Sequence, residues 1–314
     1  MASRQHLLTS PPDSNLLTVP RPVNRCIGRD EELLTLQKWL DDPHQRLINL
    51  CGPGGIGKTR LALEFAHQIK QNAQQRLPQK LKDWGVVFVG LGSLTSHHNL
   101  CHPIASALGL TDCESPDFLD RLAGTFCAPK CWLLVLDNFE HLSDQAPLLA
   151  TMLAEIDQLK ILVTSRSPLR LQGERVLTIP ALPLDTAAIP LFLERAKQIR
   201  PDLDLDDAQQ HLVGEVCRAL EGLPLALELA ASRLDLLSLQ EVHSRLSQKL
   251  TLLGDGPLDA SPRHRTMRAA IDWSYALLNE AERLLFRQVA IFRGGFTLEA
   301  LEKIESQLDK ATAQ

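Results

Sequence analysis

From Arg29 onward the chain alternates between short apolar runs and longer stretches whose apolar residues recur every three or four positions. The first helical pattern starts at Arg29, with Leu33, Leu34, Leu36 and Leu40 in the apolar places. Runs of strand character follow at Leu47–Cys51, Val86–Leu91, Trp132–Leu136, Ile161–Thr164 and Val176–Ile179. Nearly continuous apolar strands separated by longer helical or polar segments predict a parallel sheet covered on both faces, hence an α/β fold class.

After Pro183 the strand signal stops. Helices are predicted over Ala187–Ile199, Ala208–Leu220, Pro224–Leu236 and Leu239–Leu250. Gly222 is placed to end the second and Pro224 to begin the third. Ser238 with Glu241 reads as a capping box for the fourth, and Asn279 with Glu282 caps a later helix. Gly254–Pro262 reads as a linker. The expected organisation is therefore a mobile arm at 1–23, a nucleotide-binding domain at 24–183, a helical domain at 184–252 and a further small domain at 253–314.

One junction in this pattern carries chemistry. The strand Leu47–Cys51 runs into Gly52-Pro53-Gly54-Gly55-Ile56-Gly57-Lys58-Thr59, and a helix with Leu61, Phe65 and Ile69 on one face continues from it. This is the P-loop pattern GxxxxGK[ST]. Glycines let backbone N–H groups turn inward around phosphate oxygens. The helix N-terminus adds about half a positive charge. Lys58 is expected to reach the β- and γ-phosphates, and Thr59 to offer its hydroxyl to Mg²⁺.

A second junction completes the site. Trp132–Asp137 is an apolar strand ending in an acid, the Walker B pattern, whose Asp137 is expected to hold magnesium. Asn138 follows, and its amide cannot act as a general base. Glu140 and His141 lie just beyond, as candidates to orient a water or as part of a solvated turn. The strand Ile161–Thr164 leads to Ser165-Arg166, a cation able to contact a γ-phosphate. The candidate catalytic residues are thus Lys58, Asp137, Glu140 and Arg166, with Thr59 and Asp137 as metal ligands. Asn-Lys-x-Asp, the usual reader of guanine, does not occur, which favours adenine.

Composition narrows the partners. The 314 residues are 44% hydrophobic, enough for real cores in two or three domains. A net charge of −5 gives no global field toward nucleic acid or anionic membrane. Arg263, His264, Arg265 and Arg268 form a small basic cluster, read as a solvated helix face. The seven cysteines are odd in number and form no CxxC pair, so reduced thiols in a cytoplasmic protein are expected rather than a zinc site or a disulfide framework. No apolar run approaches the roughly 20 residues that span a bilayer, and no membrane partner is expected.

Taken in order, these elements resemble the STAND class of P-loop ATPases, the NB-ARC or AP-ATPase group, in its branch of bacterial LuxR- and SARP-type regulators. Cys26-Ile27-Gly28-Arg29-Asp30-Glu31-Glu32 looks like the family's N-terminal F-x-G-R-[ED]-x-E element. Leu134–His141 looks like its Walker B, Val163–Arg166 like its sensor-1 strand, and Gly222–Ala226 matches its GLPLA motif. Arg265–Tyr275 and Phe292–Phe296 resemble the start of its winged-helix domain, here expected to be incomplete. The resemblance implies a sheet of order 5-1-4-3-2 and places Arg166 toward the γ-phosphate. It also implies that Ile27 and Arg29 border the nucleotide and that Pro224 packs near adenine. Arg60, directly after Thr59, is a further candidate binding residue. In function it implies a cytoplasmic ATP/ADP switch that hydrolyses slowly and self-associates on ATP binding, with sensor and effector unspecified. The alternatives are a constitutive P-loop ATPase and a DNA-binding transcriptional regulator.

Overall fold

The computed structural model describes residues 19–74, 84–94, 99–110, 113, 117–126, 131–246, 275, 278–290, 297 and 299. Residues 1–18 of the expected arm, the linker Gly254–Pro262, the basic cluster at 263–268 and most of the expected winged helix lie outside them. The end of the expected arm is packed rather than mobile: Val19 is buried in the core, and the Pro20 carbonyl pairs with His67 Nε2 at 2.9 Å.

Five strands form one parallel sheet: β1 (Leu47–Cys51), β2 (Trp84–Gly90), β3 (Cys131–Asp137), β4 (Leu159–Ser165) and β5 (Glu174–Thr178). Their spatial order is β2-β3-β4-β1-β5, the expected 5-1-4-3-2 read from the other edge. Because side chains alternate across a strand, each strand feeds two cores. Ile48, Leu50, Leu133, Val135 and Leu162 pack under α1 (Asp30–Asp41) and α2 (Lys58–Gln74). Leu134, Leu136, Ile161 and Val163 face α3 (Cys101–Ala107), α4 (Phe118–Thr125) and α5 (Ala146–Glu155). On that second face Trp132 meets Phe126 edge-on, with centroids 5.0 Å apart.

Two-sided burial holds for β1, β3 and β4 but not for β5, where Val176 is 36% exposed. β5 is an edge strand, and it begins earlier than the apolar run Val176–Ile179 because Glu174 is held by polar contacts. Its carboxylate accepts from Asn49 Nδ2 at 2.7 Å and from the backbone N–H groups of Leu169 and Arg170. Asn49 also donates to the Ser167 carbonyl. A buried amide in the interior strand β1 thereby anchors the loop that follows Arg166.

Beyond the sheet, α6 (Ile189–Ile199), α7 (Asp207–Ala219), α8 (Pro224–Ser232) and α9 (Leu239–Arg245) share a separate core. Helix α6 starts later than the periodicity suggests. Pro190 sits in its first turn, where a missing N–H is harmless, and a wider turn at Leu184–Ala188 precedes it. Helix α8 ends at Ser232 and tightens into a turn at Arg233–Asp235. The capping box at Ser238 and Glu241 forms as expected, and a second one, Asp206 with Gln209, opens α7. Gly222 ends α7 with φ +63°, and a Cβ there would lie 2.3 Å from the Leu182 carbonyl oxygen, so the turn requires glycine. A later helix, α10 (Glu280–Val289), carries the expected Asn279–Glu282 capping box. Among the described residues no helix is long and apolar enough to cross a membrane.

Candidate functional site

The parallel register brings the carboxyl ends of β1, β3 and β4 to one edge, which is where such sheets hold ligands. Cys51 pairs with Ser165, so the segment after β1 and the segment after β4 leave the sheet side by side. The first is Gly52–Gly57, which turns directly into α2. The second delivers Arg166. From β3 come Asp137, Asn138 and the short turn Phe139–His141, pinned by the fully buried Phe139 ring.

The loop is closed on itself. Lys58 Nζ donates to the carbonyls of Gly52 at 2.7 Å and Pro53 at 3.0 Å, which folds its side chain back across the loop. Burial pulls its ammonium below the ordinary lysine range, while the carboxylates of Glu140 and Asp137 act in the opposite direction. Beside it, Thr59 Oγ1 donates to Asp137 Oδ1 at 2.8 Å. The same carboxylate oxygen accepts from Thr164 Oγ1 at 2.6 Å, and the Asn138 N–H donates to that threonine hydroxyl at 2.9 Å. Thr164 therefore fixes both the acid and the backbone that follows it. Asn138 takes the left-handed conformation, with φ +65°, which turns the chain sharply out of β3.

A cavity of about 360 Å³ opens between this edge and the helical domain. Of the sequence-predicted residues, Gly54, Gly55, Gly57, Lys58, Thr59 and Arg60 line it at one end. Glu140 and Arg166 line it too, and so do Ile27, Arg29 and Pro224. Gly52, Pro53, Ile56 and Asp137 do not. Pro53 is exposed and turns its carbonyl to Lys58, whereas the Ile56 side chain is buried in the core under α1 and α2. Asp137 meets the site through its bond from Thr59 and its charge beside Lys58. His141 is also off the cavity: its Nε2 pairs with the Leu91 carbonyl at 2.9 Å and ties β3's turn to the end of β2, so it is not placed to orient a water there.

The cavity's arginines differ in how they are held. Arg29, only 4% exposed, donates to Glu32 and, at 3.0 Å, to the Ile56 carbonyl, bracing the P-loop from behind. Arg60 pairs with Glu64 and with the Asn24 carbonyl. Arg166 pairs through Nε with Glu140 at 3.2 Å. Sequence reasoning missed the opposite wall, where Leu191 and Arg195 of α6 and Leu225, Glu228 and Leu229 of α8 close the cavity. Arg195 there bridges Glu194 and Glu228. Nothing in the helical periodicity separates these positions from ordinary core and surface, because a wall residue and a core residue share the same apolar face.

That wall touches the P-loop directly. The Leu225 N–H donates to the Gly55 carbonyl at 3.2 Å. Gly55 has φ +79°, and a Cβ on it would lie 2.9 Å from Leu225 Cβ. The approach of helical domain to phosphate loop thus depends on a residue without a side chain.

Comparison with known proteins gives the frame for this geometry. Residues 41–172 match the family model described as an AAA domain. An uncharacterised protein of Mycobacterium tuberculosis is 35% identical over 285 residues, covering 90% of this chain and 70% of that protein. The chain belongs to that protein's family. Its fold is that of a P-loop NTPase. A second M. tuberculosis relative, provisionally named an HTH-type transcriptional regulator, is 38% identical over 265 residues. The match covers 84% of this chain but only 29% of that regulator's length. Among solved structures, a STAND protein with a tetratricopeptide repeat sensor from Pyrococcus horikoshii aligns at TM-score 0.42 and 17% identity, over 90% of this chain and 37% of that one. That likeness is too distant to carry an argument about function.

Proposed function

We propose that this chain binds an adenine nucleoside triphosphate in the cavity, hydrolyses it slowly and serves as an ATP/ADP switch. One observation carries the reading: the P-loop that would hold the phosphates is bonded, through the Gly55 carbonyl, to the first turn of α8 in the helical domain. Whatever occupies the loop therefore bears on how the two parts dock. A nucleotide shifts that docking only as far as ATP and ADP differ in affinity for its two arrangements. In this reading residues 24–183 and 184–252 are the parts that move.

The donor set fits magnesium. Thr59 and Asp137 offer a hydroxyl and a carboxylate oxygen already within 2.8 Å of each other, the hard oxygen ligands that Mg²⁺ prefers. Bound there, the ion would supply charge neutralisation at the β- and γ-phosphates. Lys58 holds the same phosphates by charge, Arg166 reaches the terminal one, and Glu140 is, among the described residues, the one carboxylate lining the phosphate side of the cavity, able to orient water. Slow turnover follows from this arrangement: Asn138 follows Asp137 where a base would be adjacent, and Glu140 is engaged by Arg166.

Equilibrium titration with ADP and with a non-hydrolysable ATP analogue, alongside identification of the nucleotide that co-purifies, tests the reading. Tightly held ADP in the purified protein supports it, and no binding of either nucleotide overturns it. A second reading draws on the regulator relative: within a longer protein this ATPase would govern transcription, and ATP-dependent self-association would be its output. Nucleic acid is not expected to bind this chain itself, given its charge of −5. Salt-dependent DNA binding by the isolated chain would reverse that expectation.

A further inference from the structure

We infer that Glu140 sets the discrimination between ATP and ADP by competing with the γ-phosphate for Arg166. This rests on the nucleotide-binding reading of the cavity and assigns Glu140 a role beyond holding water.

The pair is built to exchange partners. Arg166 follows the last residue of β4, and Glu140 lies in the turn after the neighbouring β3, so the two are brought together by adjacent strand ends. Their contact is a single one, Nε to Oε1 at 3.2 Å, not the two-pronged fork that makes arginine–carboxylate pairs strong. The Glu140 side chain is only 6% exposed, and its other oxygen, Oε2, is buried without a hydrogen-bond partner among the described residues. A buried carboxylate oxygen left in that condition carries a desolvation cost. Arg166, at 21% exposure, keeps open access to the cavity.

Four other arginines line the cavity. Arg29 and Arg60 are each tied to a glutamate three or four residues on and to a backbone carbonyl, Arg195 has two glutamates, and Arg25 is exposed on the segment before α1. For Arg166, Glu140 is the one side-chain partner among the described residues. Glu140 and Lys58 line the same cavity, which places the carboxylate on its phosphate side.

ADP leaves this pair alone, because its phosphates end at Lys58 and Thr59. A γ-phosphate adds negative charge on the Glu140 side and offers Arg166 several oxygens in place of one. Arg166 then turns to the phosphate, and Glu140, released, faces the same cavity as a free acceptor. Glu140 is thus an internal competitor that lowers affinity for the triphosphate and leaves affinity for the diphosphate unchanged.

The test is a double-mutant cycle read by calorimetric titration of ADP and a non-hydrolysable ATP analogue. Glu140→Gln, which keeps shape and removes the charge, is expected to tighten analogue binding about tenfold, equivalent to about 1.4 kcal/mol, and to leave ADP within about twofold. Arg166→Ala is expected to weaken the analogue by about ten- to a hundredfold with ADP barely changed. In the Arg166→Ala background the gain from Glu140→Gln disappears, because there is no guanidinium left to compete for. A gain that persists there would show general relief of negative charge and would overturn the proposal. So would unchanged or weaker analogue binding in Glu140→Gln with normal ADP affinity. Equal ADP binding by the wild type and Lys58→Ala would overturn the nucleotide-site reading itself, and this role of Glu140 with it.

Discussion

The two ends of the cavity are made differently. At the phosphate end the contacts are backbone carbonyls and N–H groups, short polar side chains and a lysine, all fixed by strand ends in register. At the far end the wall is leucine from α6 and α8, with one arginine bridging two glutamates. Directional bonds fix one end and apolar packing shapes the other, so the first should govern which phosphates bind and how fast they react. The second should govern how firmly the site is closed.

The sharpest way to break this contrast is Lys58→Ala, which removes the charge facing the phosphates. ADP and ATP binding should fall below detection by calorimetry while circular dichroism stays unchanged. Retained affinity would mean that the phosphate end does not bind phosphates. Next comes Glu140→Gln, expected to slow single-turnover hydrolysis by roughly a hundredfold, the scale of a lost general base. A rate equal to wild type would remove Glu140 from water activation.

Gly55→Ala probes the seam between the two ends. The substitution meets both a positive φ and the Leu225 side chain, a strain of roughly 1–3 kcal/mol. It should weaken ADP and the ATP analogue alike, by about tenfold, and expose the segment around Leu225 to limited proteolysis. If only the analogue were affected, the seam would belong to γ-phosphate sensing instead. The mildest effect on affinity is expected at the far wall. Leu191→Ala removes a buried side chain of the helical core and should lower unfolding stability by about 2–4 kcal/mol. Nucleotide affinity should move only a few-fold, equally for both ligands. A loss above tenfold would give the apolar wall a share in recognition.

How much of this was readable in advance follows the same division. The P-loop, Asp137 and the strand carrying Arg166 are local patterns, each a strand followed by a residue type that only certain chemistry uses. Parallel strands put those residues at one edge whatever lies elsewhere. The edge character of β5 was not legible, because Glu174 begins the strand through contacts with Asn49 and Leu169 that are remote in the chain or lie in a loop. Thr164 looked like one more strand residue, yet it bonds Asp137 and orders Asn138. His141 looked as well placed as Glu140. The turn after β3 sends one toward Leu91 and the other into the cavity.

The sequence by itself determined the α/β class, the strand order through its family likeness, the phosphate loop and the caps at Ser238 and Asn279. These depend on periodicity and on residue types whose backbone or hydrogen-bonding demands are local. Only the tertiary structure decided which of two neighbouring side chains enters the site, that Glu140 and Arg166 hold each other, and that Gly55 lies against Leu225. Those are contacts between segments up to 170 residues apart, as for Gly55 and Leu225, and no local pattern encodes a distance between two strand ends until the sheet has set it.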